Sequence, residues 1–98
     1  MSVIAYHFWS LTCGPCKVIK PALEDLKKEF PVVKWLSINT REDSGGYVDK
    51  LGVRVVPTVV VEAYDAQGKK VYTDRNSGTQ MMAYYRIIRT AMKQASLQ

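Results

Sequence analysis

The 98-residue chain is poor in the residues that build metal centres and disulfide-rich folds. It has two cysteines and one histidine, too few for a disulfide scaffold or a four-ligand zinc site. No apolar run approaches the ~20 residues of a membrane helix. The first residues also lack the basic stretch and the cleavage site of a signal peptide. We therefore expect one domain, residues 1–98, in the cytoplasm, with no metal and no membrane contact.

Positive charge exceeds negative charge, giving a formal net charge of +5. The basic residues are scattered, and only Arg86, Arg89 and Lys93 form a helical stripe. Such a stripe is more often a solvated face than a binding surface, although it would suit a mildly acidic protein partner. Because no DNA- or RNA-binding motif accompanies it, we expect no nucleic-acid partner.

Apolar periodicity and turn residues predict an α/β protein with the order βαβαββα. The predicted strands are residues 3–9, 32–38, 58–64 and 70–73. A first helix is predicted from Pro15, kinked at Pro21 and stopped by Pro31, and a short second helix ends at Gly52. Residues 76–78 are predicted as a loop and Thr79 as the N-cap of the last helix. The core face of that helix is predicted to carry Met81, Tyr85, Ile88, Met92 and Ala95.

The segment WSLTCGPCK, residues 9–17, holds both cysteines two residues apart. A metal site would need further soft ligands, and the chain offers only His7. An inert disulfide across so short a loop would constrain the chain little. A redox pair is the favoured interpretation. Cys13 would precede a helix whose N-terminal N–H groups favour its thiolate, and Cys16, one turn in, would be the more buried resolving thiol.

The segment WSLTCGPCKVIKP resembles the thioredoxin active site, commonly written WAxWCGPCKxxxP. VVPTVVV resembles the cis-proline strand of that family, and Gly78 its glycine after the hairpin. The resemblance covers nearly the whole chain. It implies a minimal thioredoxin fold, with a four-stranded mixed sheet flanked by three helices.

The resemblance also implies roles for individual residues. Cys13 matches the attacking cysteine and Cys16 the resolving cysteine. Residues expected to tune the pair are His7, Trp9, Gly14, Pro15 and Lys17. Residues expected to bind substrate are Thr12, Val56, Pro57 and Gly78. A cis peptide at Pro57 would let the backbone of Val56 pair with an extended substrate. The alternative role of Trp9 and Val56 is core packing. Gly78 could instead be an ordinary loop glycine.

Three features depart from the family pattern. Thr12 stands where a tryptophan is usual, so partner choice should differ. His7 stands where thioredoxins carry a buried aspartate. A neutral imidazole would take the proton from Cys16, a charged one would stabilise thiolate, and a core histidine bonded to backbone is the alternative. The chain begins at the strand leading to the cysteines, which predicts an exposed sheet edge and lower stability.

The leading functional interpretation is a small monomeric thioredoxin that reduces disulfides in protein substrates. No cofactor-binding motif occurs, so electrons would come from a partner, by resemblance a thioredoxin reductase. A glutathione-dependent, glutaredoxin-like enzyme is the first alternative, although Gly-Pro between the cysteines argues against it. The second alternative is a thioredoxin-fold subunit that binds within a larger assembly without redox activity.

Overall fold

The computed structural model describes residues 1–97 and contains every predicted element in the predicted order. The strands are β1 (Ser2–Trp9), β2 (Lys34–Asn39), β3 (Thr58–Tyr64) and β4 (Lys70–Ser77), and the helices are α1 (Gly14–Glu29), α2 (Tyr47–Leu51) and α3 (Met81–Gln94). They build one four-stranded sheet in the order β2-β1-β3-β4. β1 and β2 run parallel, whereas β3 is antiparallel to β1 and β4 is antiparallel to β3. The predicted fold class is therefore confirmed.

Helices cover both faces of the sheet. On one face α1 and α3 pack over β1 and β3, in a core that includes Ala5, Leu23, Val61 and Ile88. On the other face α2 packs near Phe8 and Val60. β3 is central, so all its residues except the last are buried, as its near-continuous apolar sequence predicts. No helix within residues 1–97 is long and apolar enough to cross a membrane.

A buried carboxylate lies on the face opposite α1 and α3. Glu62 is 4% exposed and accepts hydrogen bonds from the hydroxyls of Tyr6 at 3.0 Å and Tyr64 at 2.9 Å. Lys70 Nζ lies 3.0 Å from its second oxygen. Burial alone would raise the pKa of Glu62, but the hydrogen bonds from Lys70 and the two tyrosines outweigh it and lower that pKa.

The two edge strands differ from their predicted bounds. β2 begins two residues late, because the Val33 N–H donates to the carbonyl of Phe30 at 3.1 Å in a turn after α1. β4 continues beyond Thr73 to Ser77, which pairs with Thr58. The predicted loop at residues 76–78 is therefore wrong for its first two residues. Most β4 side chains are exposed, so the apolar alternation that marks a strand fades in this part of the sequence.

The last helix begins later than predicted and is rotated about its axis. Its N-cap is Gln80 rather than Thr79, and no side chain caps it. The residues buried in the core are Tyr84, Ile87, Ile88, Ala91 and Ala95. Three predicted core residues are only partly buried, namely Met81, Tyr85 and Met92. Both sets of residues recur at helical spacing, so periodicity alone did not show which of two adjacent faces of the helix packs into the core.

Candidate active site

The cysteines lie where the end of β1 turns into α1. Cys13 is the N-cap of α1, and its Sγ accepts a hydrogen bond of 3.1 Å from the backbone N–H of Cys16. Pro15 lies in the first turn, where its missing N–H removes no helical bond. Cys13 and Cys16 form a disulfide, with Cα atoms 5.3 Å apart. The predicted placement of both residues is confirmed.

Burial scarcely distinguishes the two cysteines, since Cys13 is 9% and Cys16 is 7% exposed. Cys16 is the more buried of the two, as predicted, but only by this small margin. The hydrogen bond from the Cys16 N–H distinguishes the two sulfur atoms, because it stabilises negative charge on Cys13 Sγ and not on Cys16 Sγ. No acidic side chain occupies the first turn of α1, so nothing there opposes a thiolate at the positive end of the helix.

A second loop reaches the same edge of the sheet. The Val56–Pro57 peptide is cis, and it leads directly into β3, whose first residue Thr58 pairs with Phe8 near the end of β1. The Gly78 N–H donates to the Pro57 carbonyl at 3.1 Å. Gly78 has φ of +98°, a conformation that favours glycine. Pro57 and Gly78 therefore lie next to each other, and the predicted cis peptide is present.

The rim of the site contains exposed apolar side chains. Thr12 is exposed, and next to it Leu11 is 68% exposed. Val55, just before Val56, is 57% exposed. Leu11, which lines the cavity beside Cys16, was not among the predicted site residues, although an apolar residue in the short loop before Cys13 was a usable signal. Trp9 is partly buried, and its indole N–H donates to Ser37 Oγ at 2.7 Å.

His7 is 8% exposed on β1, and neither ring nitrogen has a hydrogen-bond partner among the described residues. The alternative of a core histidine bonded to backbone is therefore wrong. Burial, with a smaller contribution from Lys27, lowers the pKa of His7 to about 4, while Glu24 acts in the opposite direction. The imidazole is neutral at pH 7, which disfavours the predicted alternative of a charged histidine that stabilises thiolate.

A cavity of about 250 Å³ lies beside His7 and Cys16. Its walls come from the end of β1, from β2 and from one side of α1. The lining residues are His7, Trp9, Ser10, Leu11, Cys16, Lys17, Lys20, Glu24, Lys27 and Ser37. Within residues 1–97 no three His, Cys, Asp or Glu side chains cluster as metal ligands would. The buried base His7 and the sulfur-bearing Cys16 therefore line the same small cavity, and the described residues form no metal centre.

A mixed sheet in this order, a disulfide at the start of α1 and a cis-proline before β3 define a domain of the thioredoxin fold. Residues 2–86 match the thioredoxin family model. The chain belongs to the thioredoxin family. This match favours the thioredoxin interpretation over the glutaredoxin-like one.

Individual relatives agree with this assignment. Chloroplastic thioredoxin M4 of Arabidopsis thaliana is 37% identical over 59 residues, which are 59% of this chain and 30% of the relative. The chain spans about a third of the length of the first curated relatives it matches. The solved thioredoxin of Fasciola hepatica is 29% identical, with a TM-score of 0.68 over 96% of this chain and 81% of that one. Thioredoxin f2, solved in complex with ferredoxin:thioredoxin reductase, shares the fold, with 24% identity and a TM-score of 0.75 over 92% of this chain and 77% of that one.

Proposed function

We propose that this protein is a protein disulfide reductase. In the reduced state the Cys13 thiolate attacks one sulfur of a substrate disulfide, forming a mixed disulfide and releasing the other sulfur as a thiolate. Cys16, after losing its proton, attacks Cys13 Sγ and expels the second substrate thiolate. The product is the Cys13–Cys16 disulfide, the state present in this structure. Two electrons and two protons from an external dithiol then restore the reduced pair.

The observation that carries this proposal is the hydrogen bond from the Cys16 N–H to Cys13 Sγ. It supports Cys13 as the nucleophile, because a thiolate so stabilised is present at neutral pH in a larger fraction than a free thiol. In the reverse direction an external thiolate attacks Cys13 Sγ and Cys16 leaves as a thiolate, which is the reverse of the resolving step.

His7 takes part in this mechanism as the group that accepts the proton of Cys16. The two residues line the same cavity, and both nitrogens of the neutral imidazole are buried without a hydrogen-bond partner among residues 1–97. Its low pKa applies to the oxidised state, in which neither sulfur is charged. A Cys16 thiolate in the same cavity would raise the pKa of His7, so the proton is accepted at the moment the thiolate forms.

Substrate binding is assigned to the loop edge around Cys13. The backbone of Val56 pairs with an extended substrate segment, while Thr12, Pro57 and Gly78 shape the surface beside it. The exposed side chains of Leu11 and Val55 support this assignment, because they add apolar contact area where Thr12 provides little. A cytoplasmic location and a monomeric state remain predictions.

The electron donor is assigned to a thioredoxin reductase. Support comes from the solved complex in which a protein of the same fold, thioredoxin f2, is bound to ferredoxin:thioredoxin reductase. The chain matches about a third of the length of its first curated relatives, so the reductase partner is a proposal for this chain and is not taken over from them.

The reductase activity is tested with insulin as the substrate and dithiothreitol as the donor. We expect turnover by the wild type and none by Cys13→Ser. Cys16→Ser should trap a mixed disulfide on Cys13, visible by mass spectrometry; the chain has no third cysteine to confuse the assignment. A folded wild type without turnover would refute the reductase and favour the non-enzymatic binding subunit.

The role of His7 has a separate test. His7→Ala should shift the pH profile of insulin reduction and slow the release of a preformed mixed disulfide. The matched control is Lys69→Ala, an exposed side chain in the β3–β4 turn. If His7→Ala left the pH profile unchanged, the proton-transfer role would be wrong while the reductase activity stood.

A further inference from the structure

We propose that the solvent-facing side of α3 binds an acidic segment of a partner protein. The surface consists of Met82, Arg86, Arg89 and Lys93, and we call it the α3 basic face. It shares no residue with the cavity beside Cys16 or with the predicted substrate surface. The inference does not rest on the proposed reductase activity, because none of these side chains takes part in the disulfide chemistry.

The four side chains of the α3 basic face lie along one side of the helix. They recur at positions i, i+4, i+7 and i+11, so they follow a line about 16 Å long. The buried side of the helix, with Tyr84, Ile88 and Ala91, lies opposite. All four side chains are exposed, and Met82 is 79% exposed. An open groove of about 420 Å³ follows this face, lined by Met82, Tyr85, Arg86, Arg89, Thr90 and Lys93.

The cations of the α3 basic face have no carboxylate partner. Among residues 1–97, no carboxylate oxygen lies within 4.0 Å of the charged groups of Arg86, Arg89 or Lys93. No Asp or Glu follows Asp74 in the sequence, so α3 itself has no acidic residue. The local field is therefore positive, and it attracts an anionic partner. A symmetric dimer through this face is disfavoured, because it would bring like charges together.

Arg89 is already held in place in the free protein. Its guanidinium lies 5.6 Å from the centroid of the Tyr85 ring and donates a hydrogen bond to the Tyr85 hydroxyl at 3.2 Å. That hydroxyl donates in turn to Glu29 at 3.3 Å, and the ring packs edge-on against Phe30. Because the Arg89 side chain is ordered before binding, less conformational entropy is lost when it pairs with a carboxylate.

The surroundings of the cations favour a protein segment over a nucleic acid. The exposed side chain of Met82 and the ring of Tyr85 offer apolar contact that a phosphate backbone would not use. Carboxylates also lie close to the face: Glu29 accepts from Tyr85, and Asp74 lies on β4, which packs beside α3. They would repel a long polyanion that extends beyond the helix. A segment with carboxylates one helical turn apart and an apolar side chain beside them fits both features.

The test uses NMR of the isotope-labelled oxidised protein at low salt and two synthetic helical peptides. One peptide carries three glutamates one helical turn apart and a leucine on the same face, and the other has glutamine in place of each glutamate. We expect saturable shifts of the backbone amides of residues 82–93 with the glutamate peptide, and weak or no shifts with the glutamine peptide. Added salt should weaken the binding, because it screens exposed charges.

Two double variants separate the effect of this face from that of net charge. Arg86→Gln/Lys93→Gln removes two cations of the face, and the matched control Lys34→Gln/Lys69→Gln removes two exposed cations on β2 and in the β3–β4 turn. Both lower the formal net charge from +5 to +3. The α3 variant should weaken binding of the glutamate peptide roughly fivefold, the effect of losing two exposed ion pairs, and the control should change it by less than about twofold.

Four results would overturn the proposal. Equal weakening by the two double variants would attribute the binding to net charge, and equal shifts with the two peptides would exclude carboxylate recognition. Tighter binding of a short DNA duplex by the same residues at the same salt concentration would make nucleic acid the partner. Absence of saturation would show a solvated face. Insulin reduction by Arg86→Gln/Lys93→Gln, measured without peptide, reports on the reductase activity separately and should equal that of the wild type.

Discussion

Replacing His7 with leucine should remove most of the acid sensitivity that this side chain gives to folding. In the unfolded chain its pKa is near 6.5, whereas burial first and Lys27 second lower it to about 4 in the native state. Between these two values the unfolded chain binds a proton that the native state does not. At about 1.4 kcal/mol per pKa unit, the difference corresponds to about 3 kcal/mol of unfolding free energy.

The direction of the His7 pKa shift determines the pH range over which the protein loses stability. Stability from the neutral His7 is complete above about pH 6.5, declines as the pH falls, and is lost by about pH 4, below which both states are protonated. Urea unfolding of the oxidised protein from pH 7.5 to pH 4 measures it without titrating cysteines. The wild type should lose about 3 kcal/mol more than His7→Leu over this range.

The difference between wild type and variant cancels the titration of Glu62 and of the other carboxylates. His7→Gln provides a second non-titrating side chain if leucine disturbs the core. Parallel pH dependences of the wild type and both variants, or a His7 NMR titration midpoint near 6.5 in the native protein, would show that the imidazole is more hydrated than its burial implies.

Three further substitutions test other parts of the structure by urea unfolding. Gly78→Ala should destabilise by about 1–2 kcal/mol because φ at this position is +98°, whereas Gly14→Ala, at a helical position with free space, should not; equal effects would argue against the described loop. Tyr84→Phe removes the hydrogen bond of 2.6 Å to the Gly78 carbonyl and should lower stability by about 1–3 kcal/mol, while Tyr85→Phe should change it by less than about 0.5 kcal/mol. If Tyr85→Phe were the more destabilising of the two substitutions, the core face predicted from periodicity would be correct. Tyr6→Phe removes one donor to Glu62 and should cost about 1 kcal/mol at neutral pH, with no such loss if water replaces the hydroxyl.

Much of the fold could be predicted because local signals agreed with one another. The bounds of β3 follow from its Val-rich sequence, since a central strand is buried on both faces. The cysteines were placed correctly at the start of α1, because Pro15 suits a first helical turn and Gly-Pro suits a tight approach to it. The position of the cis peptide before Pro57 came from family resemblance, and no pattern in the residues alone predicted it.

The errors arose where tertiary contacts decide between equivalent local patterns. β4 keeps pairing with β3 through Ser77 although its side chains face solvent, so hydrogen bonding and not burial sets its length. The rotation of α3 is fixed in part by the Tyr84 hydroxyl, which reaches Gly78, a contact 6 residues away that no hydrophobic period describes. That His7 has no hydrogen-bond partner among the described residues could not be predicted either, since it depends on a cavity formed by separate elements.

Cys13 Sγ lies at the N-terminus of α1 and has two roles, and both affect the properties of Cys13 variants. Cys13 is both the reacting atom and the side chain that caps the helix. Serine is among the best residues for that capping position, so Cys13→Ser exchanges one cap for another and should leave the helix intact. Alanine offers no acceptor, and Cys13→Ala should lose about 1 kcal/mol of stability along with the chemistry. Inactivity of the serine variant thus reports on the thiol, and the gap in stability between the two variants reports on the helix.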